Sequence, residues 1–412
     1  MKTKNTCWGI IFIWLICVST SFSQGIWEQR ANFPGVNRSE AMSFSIGDHG
    51  YVCGGMKFQS PPWGYVGDFY SYDPATDFWE QLPDLPNPIS QGVTFTIGTK
   101  VYCLTGQNSN SFITDIMAWD TVTHNWSLDG VIPIELERIR AVGFSIGGKG
   151  YIATGIPTDQ SQMLNDLWEY DPPTNMWTRK ADLPGPVRYD ASCFVINNKA
   201  YISSGFTHFA NSLKDLWEYD PSSNTWNEKA SLPDSARHGA VGFSIGSCGY
   251  LTWGAGYNEN PLYRRTLQYN PGINSWTELE LFPSVPSIYA RCFVINSTAY
   301  LTTGLNCYSP NSSWSFSPGN VGINNKTAFF SSIYPNPVKK DLNVILKKNY
   351  NGHLSISIFD ETGRVTLIHQ FEKYLDMFTA TIDCSSLQDG FYLMTIKNNS
   401  GDCLYYGKFV KR

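Results

Sequence analysis

The sequence predicts an all-β protein, in which a six-bladed β-propeller closed by the N-terminal strand is followed by a small β-sandwich. Two observations predict the propeller. Aromatic and glycine landmarks return about every 50 residues, and no segment shows an apolar stripe of helical period. In each repeat a phenylalanine precedes a tyrosine by seven residues, and that tyrosine precedes a glycine by four. The six phenylalanines are Phe44, Phe95, Phe144, Phe194, Phe243 and Phe293.

Two kinds of turn divide each repeat into four strands, a to d. The isoleucine that ends strand a is followed by glycine or asparagine, the residue types that adopt a left-handed backbone at the lowest cost. These turn residues are Gly47, Gly98, Gly147, Asn197, Gly246 and Asn296. A second turn follows strand c, as at Asp73-Pro74, because proline cannot continue a central strand. Each repeat is therefore a meander whose aromatic residues are expected to pack against the neighbouring repeats.

The two ends of this region hold complementary parts of one repeat. The last repeat stops at Pro318 with no tryptophan-bearing strand d after it. The segment from Gly25 to Gln29 has the pattern of a strand d, with no strands a to c before it. We expect the N-terminal strand to complete the sixth blade, because that pairing removes an open sheet edge.

The order of landmarks within a repeat is itself informative. In the fourth repeat it runs Arg188, Tyr201, Gly205, Tyr219 and Trp226. This order resembles a kelch repeat, and the resemblance covers about residues 25–318. It implies a propeller fold. The double glycine usual in kelch repeats is kept only at Gly54-Gly55, so the repeats are divergent. The resemblance therefore predicts the fold, whereas the function of a particular family member is not transferred to this chain.

The first residues have the pattern of a secretory signal peptide. Lys2 and Lys4 precede the apolar run from Trp8 to Val18, and Ser21-Phe22-Ser23 has the small residues of a signal-peptidase site. The apolar run is too short to favour a transmembrane span, and no other segment reaches that length. We predict a signal peptide at 1–23, the propeller at 24–320, a linker at 321–329 and a second domain at 330–412.

The second domain shows alternating strands separated by turns such as Thr362-Gly363 and Asp389-Gly390, which predicts a small β-sandwich. Tyr334-Pro335-Asn336-Pro337, Asp389 to Leu393 and the basic ending Lys408 to Arg412 are similar to the C-terminal sorting domain of the type IX secretion system of Gram-negative bacteria. The resemblance implies that residues 330–412 engage the secretion machinery. The protein would pass through the periplasm and be secreted or displayed on the outer cell surface. Removal of this domain and attachment to lipopolysaccharide stay open.

Charge and composition exclude several classes of function. The net charge is −5, and the propeller is more acidic than the whole because the C-terminal domain carries an excess of lysine and arginine. This disfavours nucleic acid, anionic membranes and polyanionic glycans as main partners. The 10 cysteines and 6 histidines show no zinc-ligand spacing, so we predict no metal site and no cofactor. A disulfide between Cys384 and Cys403 stays open.

Candidate binding residues lie on one face of the propeller. In a meander, the d–a and b–c loops emerge on the same face, and the b–c loops vary in length, as recognition loops do. Aromatic side chains in these loops suit sugar stacking or a protein hot spot: Trp63, Tyr65, Phe112, Phe209, Tyr257 and Tyr263. The d–a loops place a different set at the channel mouth: Glu40, Gln91, Arg140, Asp190, His238 and Tyr289.

These patterns favour a non-catalytic, surface-displayed module that binds a glycan or a surface or extracellular protein. The alternative is a sugar-modifying enzyme, because a six-bladed kelch propeller also resembles sialic acid mutarotase. That reaction needs an acid/base pair, for which the candidates are Glu40, Asp190, Arg140 and His238. No catalytic motif is present, and a scaffold without a small ligand stays open.

Overall fold

The computed structural model describes residues 25–58, 64–109, 111–159, 162–207, 211–257, 261–305, 311–318, 331–334, 337–347, 352–360, 364–373, 377–398 and 403–412. The expected signal peptide and linker, Trp63 and Phe209 lie outside these residues. The chain divides into two compact units, residues 1–318 and 319–412. Both are built from β-strands, and no helix of the described residues is long and apolar enough to cross a membrane.

The strands of the first unit form successive meander sheets. Ahead of them lie β1 (Ile26–Arg30) and β2 (Arg38–Ser39). Sheet 1 and its b–c loop contain β3 (Met42–Ile46), β4 (His49–Cys53), the short β5 (Met56–Lys57) and β6 (Gly64–Tyr65), β7 (Phe69–Asp73) and β8 (Phe78–Leu82). Sheet 2 contains β9 (Val93–Ile97), β10 (Lys100–Leu104), β11 (Asp115–Asp120) and β12 (Asn125–Val131). A short 3-10 helix, Ile134–Leu136, and β13 (Arg138–Ile139) precede sheet 3, which contains β14 (Val142–Ile146), β15 (Lys149–Pro157), β16 (Leu164–Asp171) and β17 (Met176–Arg179).

The same order continues through the rest of this unit. Sheet 4 and its b–c loop contain β18 (Ser192–Ile196), β19 (Lys199–Ser203), β20 (Phe206–Thr207), β21 (Asn211–Ser212), β22 (Leu216–Asp220) and β23 (Thr225–Lys229). Sheet 5 contains β24 (Val241–Ile245), β25 (Cys248–Thr252), β26 (Arg265–Asn270) and β27 (Ser275–Leu281). Sheet 6 contains β28 (Arg291–Ile295), β29 (Thr298–Thr302) and β30 (Ser313–Ser317), and β1 pairs antiparallel with β30.

The innermost strands of these sheets contact one another in cyclic order: β3, β9, β14, β18, β24, β28 and back to β3. The seven-residue landmark spacing sets the a–b hairpin register, so that Phe44 lies opposite Tyr51 with the two rings stacked at 4.9 Å. Glycine beside that tyrosine leaves room for a ring from the preceding sheet. A Cβ on Gly50 would lie 2.0 Å from the ring of Phe293, which brings sheet 6 against sheet 1. Each such buried aromatic contributes about 1.5–3 kcal/mol.

Four arginines that precede strand a are fully buried: Arg38, Arg138, Arg188 and Arg237. Each forms an ion pair with an aspartate and donates to a main-chain carbonyl of the strand b turn in its own sheet. In Arg188 the guanidinium bonds both carboxylate oxygens of Asp215, at 2.7 and 2.6 Å. These contacts tie the d–a loop to the b–c loop, which supports a structural role for these arginines.

The second unit contains two sheets. Its strands are β31 (Ser331–Tyr334), β32 (Asp341–Lys347), β33 (Gly352–Phe359), β34 (Val365–Lys373), β35 (Met377–Asp383), β36 (Gly390–Asn398) and β37 (Cys403–Lys411). One sheet has the order β31-β32-β35 and the other β34-β33-β36-β37. Val344 of the first sheet and Ile356 of the second belong to one buried apolar cluster, so the two sheets enclose a shared core. Cys384 in this core is a buried free thiol, and the side chain of Cys403 lies outside the described residues.

Candidate functional site

Six main-chain segments meet in a closed ring at the channel mouth of the first unit. In each step, the N–H of one ring residue donates to the carbonyl of the ring residue before it, with N···O distances of 3.0 to 3.4 Å. The ring residues, one ahead of each sheet, are Glu40, Gln91, Arg140, Asp190, Gly239 and Tyr289. All six have a φ between 52° and 63°, a conformation that costs a non-glycine residue about 1 kcal/mol or more. The ring of hydrogen bonds offsets this cost and fixes the six side chains around the axis.

A chain of polar side chains crosses the mouth, and Arg140 is its centre. One nitrogen of the Arg140 guanidinium lies 2.8 Å from Asp190 Oδ2, and the other lies 2.6 Å from Glu40 Oε1. Gln91 donates to the other oxygen of Glu40 at 2.7 Å, and Gln107 donates to Gln91 at 3.0 Å. We call these five residues the polar chain. It joins residues that precede sheets 1 to 4 and one from the b–c loop of sheet 2, so only closure of the sheets brings it together.

Arg291 adds a second cation beneath the polar chain, and sequence analysis missed it. It occupies the first position of strand a, where the other sheets carry the small or apolar residues Met42, Val93, Val142, Ser192 and Val241. Its side chain donates to the carbonyls of Ala41 and Ala290 and lines a cavity of about 50 Å³ below the ring. The signal was available as the single charge at that repeat position. The cavity has room for a few water molecules, so a sugar must bind above it.

Burial and neighbouring charges shift the proton affinities of the mouth. Burial raises the pKa of Asp190 to about 6, although Arg140 opposes the shift. Burial alone would lower the pKa of the Arg140 guanidinium, but the charges of Asp190 and Glu40 outweigh burial, and the pKa is raised. Burial lowers the pKa of His238 to about 4, helped by the charge of Arg140. At neutral pH the imidazole is therefore uncharged, and Asp190 is mostly ionised.

Aromatic rings line the side of the mouth formed by sheets 4 to 6. These rings are joined by mutual contacts, and we call them the aromatic wall: Tyr189, Phe206, His238, Tyr257 and Tyr289. The ring of Phe206 lies 4.9 Å from the ring of His238 and stacks on that of Tyr257 at 6.4 Å. The guanidinium carbon of Arg140 lies 5.2 Å from the ring centre of Tyr289, which joins the wall to the polar chain. Tyr257 is 52% exposed.

The remaining candidates lie in different surroundings. Tyr65 is half-buried, and burial together with the charge of Glu40 raises its pKa, which places it near the polar chain. Phe112 forms a backbone bridge with Gln107. Tyr263 instead packs its ring on the buried Arg237, with the guanidinium carbon 4.4 Å from the ring centre. Sequence analysis did not select Gln107 or Tyr189, because nothing in their spacing marks them as neighbours of the mouth.

The described residues hold no group of three or more histidine, cysteine, aspartate or glutamate side chains placed to bind a metal ion. Two carboxylates, one guanidinium across them and a neutral imidazole face a concave surface with aromatic sides.

The family model described as the KLHDC2/KLHL20/DRC7 Kelch-repeats domain matches residues 93–304. The chain belongs to the kelch-repeat family. The model of the secretion system C-terminal sorting domain matches residues 332–411. This kelch protein therefore carries the signal for export by the type IX secretion machinery and is secreted or attached at the cell surface.

Individual relatives are distant. An N-acetylneuraminate epimerase of Haemophilus influenzae (strain PittEE) is 26% identical over 184 residues, 43% of this chain and 44% of that protein. Kelch-like protein 35 of Mus musculus is 26% identical over 135 residues, 32% of this chain and 22% of that protein. The chain thus spans less than half the length of these two relatives. The solved structure titled "Structure of YjhT" has a TM-score of 0.57 at 16% identity, covering 70% of this chain and 96% of that one, and shows a shared fold.

Proposed function

We propose that this exported kelch protein binds carbohydrate at its channel mouth and performs no catalysis there. The observation that carries the proposal is the juxtaposition of the polar chain with the aromatic wall. A sugar ring presents hydroxyl groups at its edge and C–H groups on its faces, so it needs hydrogen-bond partners beside an aromatic surface. Glu40, Gln91 and Gln107 supply the former, and Tyr257 with Tyr289 supplies the latter.

The propeller that presents this site is proposed to have six blades, with β1 as the outer strand of the sixth. The backbone ring at the mouth has six members, and its last step joins Glu40 to Tyr289. β1 pairs along its length with β30, from Ile26 opposite Ser317 to Arg30 opposite Ser313. We further propose the boundaries 24–320 for the propeller and 330–412 for the sorting domain, after a signal peptide at 1–23.

A sugar fits this mouth better than a protein surface does. Protein hot spots are apolar pockets rimmed by polar groups, whereas the floor of this mouth consists of the charged side chains of Glu40, Arg140 and Asp190. The concave shape and the few rings at its side suit a ligand the size of one or two sugar residues.

The binding experiment uses the full chain after the signal peptide on a glycan array, compared with Tyr257→Ala and Phe78→Ala. Phe78 is a matched control, because it is 64% exposed and stands at a c–d turn on the opposite face. We expect specific glycan binding that Tyr257→Ala weakens by up to about tenfold, since one stacked ring is worth about 0.5–1.5 kcal/mol, and that Phe78→Ala preserves. No array signal, or a signal unchanged in Tyr257→Ala, contradicts the proposal.

A second function, modification of a sugar by proton transfer, is favoured by one observation. The pKa of Asp190 is raised to about 6 by burial, which suits a group that exchanges a proton near neutral pH. Relatives named N-acetylneuraminate epimerase share part of the chain. Against it, Arg140 bonds both Asp190 and Glu40, so neither carboxylate is free to accept a proton from a sugar without breaking an ion pair.

The two functions separate in an exchange measurement. In the enzyme case, NMR exchange spectroscopy would show faster interconversion of the anomers of N-acetylneuraminate or a neutral sugar, and Asp190→Asn would abolish it. We expect no acceleration over buffer for any sugar that binds. Acceleration that Asp190→Asn removes would replace the binding proposal with the enzymatic one.

A further inference from the structure

The charged groups of the channel mouth balance one another. Two carboxylates, Glu40 and Asp190, are matched by two guanidinium groups, Arg140 and Arg291. The charges that act on Asp190 are those of Arg140, Glu40 and Arg291, and the charges that act on Arg291 are those of the other three. The mouth is thus a set of four mutually neutralising groups, and the uncharged His238 beside it adds nothing to this balance at neutral pH.

Both cations already have partners. Two guanidinium nitrogens of Arg140 bond carboxylate oxygens, at 2.6 and 2.8 Å. Arg291 lies deeper, and its side chain donates to the carbonyls of Ala41 and Ala290. A ligand carboxylate would therefore have to compete with an existing ion pair, or lose its hydration beside a set of charges that already sums to zero.

An uncharged sugar meets the opposite situation. Its hydroxyl groups donate to carboxylate oxygens and accept from the amide of Gln107 without disturbing the balance of charge. Its faces stack on the aromatic wall through Tyr257 and Tyr289. The acidic balance of the whole chain, −5 at neutral pH, favours the same choice at long range.

We infer that the mouth selects a neutral sugar and rejects the same sugar carrying a carboxylate, and that Glu40 and Asp190 determine this choice by neutralising Arg140 and Arg291. The inference rests on the proposed carbohydrate-binding function and names its ligand class. It differs from what the names of the epimerase relatives imply for those proteins, since N-acetylneuraminate is a carboxylated sugar.

The test compares matched probes on the full chain after its signal peptide. Titration calorimetry with galactose and galacturonate, and with glucose and glucuronate, measures the effect of one carboxylate on an otherwise similar ring. Each neutral glycan that binds on the array is titrated in the same way, together with its uronate counterpart. We expect the neutral member to bind about tenfold tighter or more at low salt, because the carboxylate must lose its hydration beside cations that Glu40 and Asp190 already neutralise. The acidic balance of the whole chain opposes it as well, so the ratio should shrink as salt is added.

Charge-changing variants test the named residues. Asp190→Asn and, separately, Glu40→Gln each leave the mouth with one surplus positive charge at nearly unchanged volume. Each should improve the affinity for the uronate by about tenfold relative to its neutral counterpart. Glu228→Gln is the matched control, because it changes the total charge equally at an exposed position on the outer strand β23, and it should leave the ratio unaltered. Thermal unfolding of each variant shows whether it is folded, and the wild-type ratio stands independently of the variants.

The outcomes distinguish this inference from the function on which it rests. An array that shows hits among acidic glycans alone, or a uronate that binds as tightly as its neutral partner, overturns the selectivity and leaves carbohydrate binding in place. Equal responses of Asp190→Asn and Glu228→Gln overturn the role of the carboxylates. An array without any hit removes the proposed function, and this inference with it.

Discussion

Replacing Arg188 tests how far the buried arginine contacts hold the propeller together. The Arg188 side chain is fully buried and makes four hydrogen bonds: two to Asp215 at 2.7 and 2.6 Å, one to the Ser204 carbonyl at 3.1 Å and one to the Pro186 carbonyl at 3.0 Å. Arg188→Met keeps much of the apolar stem but leaves the carboxylate of Asp215 without its cation. Removing one partner of a buried pair costs about 3–5 kcal/mol.

Urea unfolding followed by tryptophan fluorescence measures this loss of unfolding free energy. At about 2–4 °C per kcal/mol for a large domain, the melting temperature should fall by about 10 °C. The matched control is Arg179→Met. Arg179 donates to both carboxylate oxygens of Asp182, as Arg188 does to Asp215, but its side chain is 58% exposed. An exposed pair of this kind contributes about 1 kcal/mol or less.

A second substitution isolates the stranded charge. Adding Asp215→Asn to Arg188→Met removes the unpaired carboxylate, and we expect about 1–2 kcal/mol of the lost stability to return. If Arg188→Met and Arg179→Met lose the same free energy of unfolding, or if Arg188→Met loses less than about 1 kcal/mol, the reasoning that burial makes these pairs important to the fold is refuted.

Further predictions concern the N-terminal segment, the acidity of the mouth and the thiols. Trp79→Phe removes the hydrogen bond from the indole N–H to the Ala31 carbonyl, 3.0 Å long, and should lower the unfolding free energy by about 1 kcal/mol. An unchanged urea midpoint would show that this hydrogen bond does not contribute to stability. The folded pKa of Asp190, about 6, lies above the ordinary 3.8, so from about pH 4 to 6 the folded state holds a proton that the unfolded chain has lost, and this group makes stability fall as pH rises. The unfolding free energy of Asp190→Asn minus that of wild type should therefore increase as pH rises from about 4 to 6 and stay constant at higher pH. A difference that does not change with pH would contradict the raised pKa of Asp190. Burial raises the thiol pKa of three cysteines of the first unit: Cys103, Cys193 and Cys292. Iodoacetamide should modify these thiols in the unfolded protein but not in the folded one, and mass spectrometry would show the difference; modification of the folded protein would contradict the prediction.

The repeat architecture was readable from sequence because each landmark has a local cause. The residue pair Ile46-Gly47 sets a two-residue turn, and the turn fixes which side chain lies opposite Tyr51. Family membership and the sorting domain followed from motifs of the same local kind. Such features depend on neighbours within about ten residues along the chain, which is the range over which spacing carries information.

The contacts within the site were harder to predict from the sequence, because they form only when the sheets close into a ring. Glu40 and Arg140 are 100 residues apart in the sequence and meet only when the sheets are arranged around the axis. The positions that face the mouth follow from the repeat, whereas the pairing of their charges does not. Arg291 shows that a departure from the repeat pattern is the better signal, since a charge at an apolar repeat position has to be compensated by something that the repeat does not contain.

The ring of main-chain hydrogen bonds at the mouth separates assembly from specificity. Its donors and acceptors are peptide groups, so the atoms that close it are the same whichever side chains stand at the six positions. A combinatorial library at those positions should therefore yield folded proteins with altered ligand preference, provided that β-branched residues, which tolerate a positive φ poorly, are left out. Evolution has the same freedom: duplicated copies of such a gene can diverge in what they recognise without first finding a new scaffold.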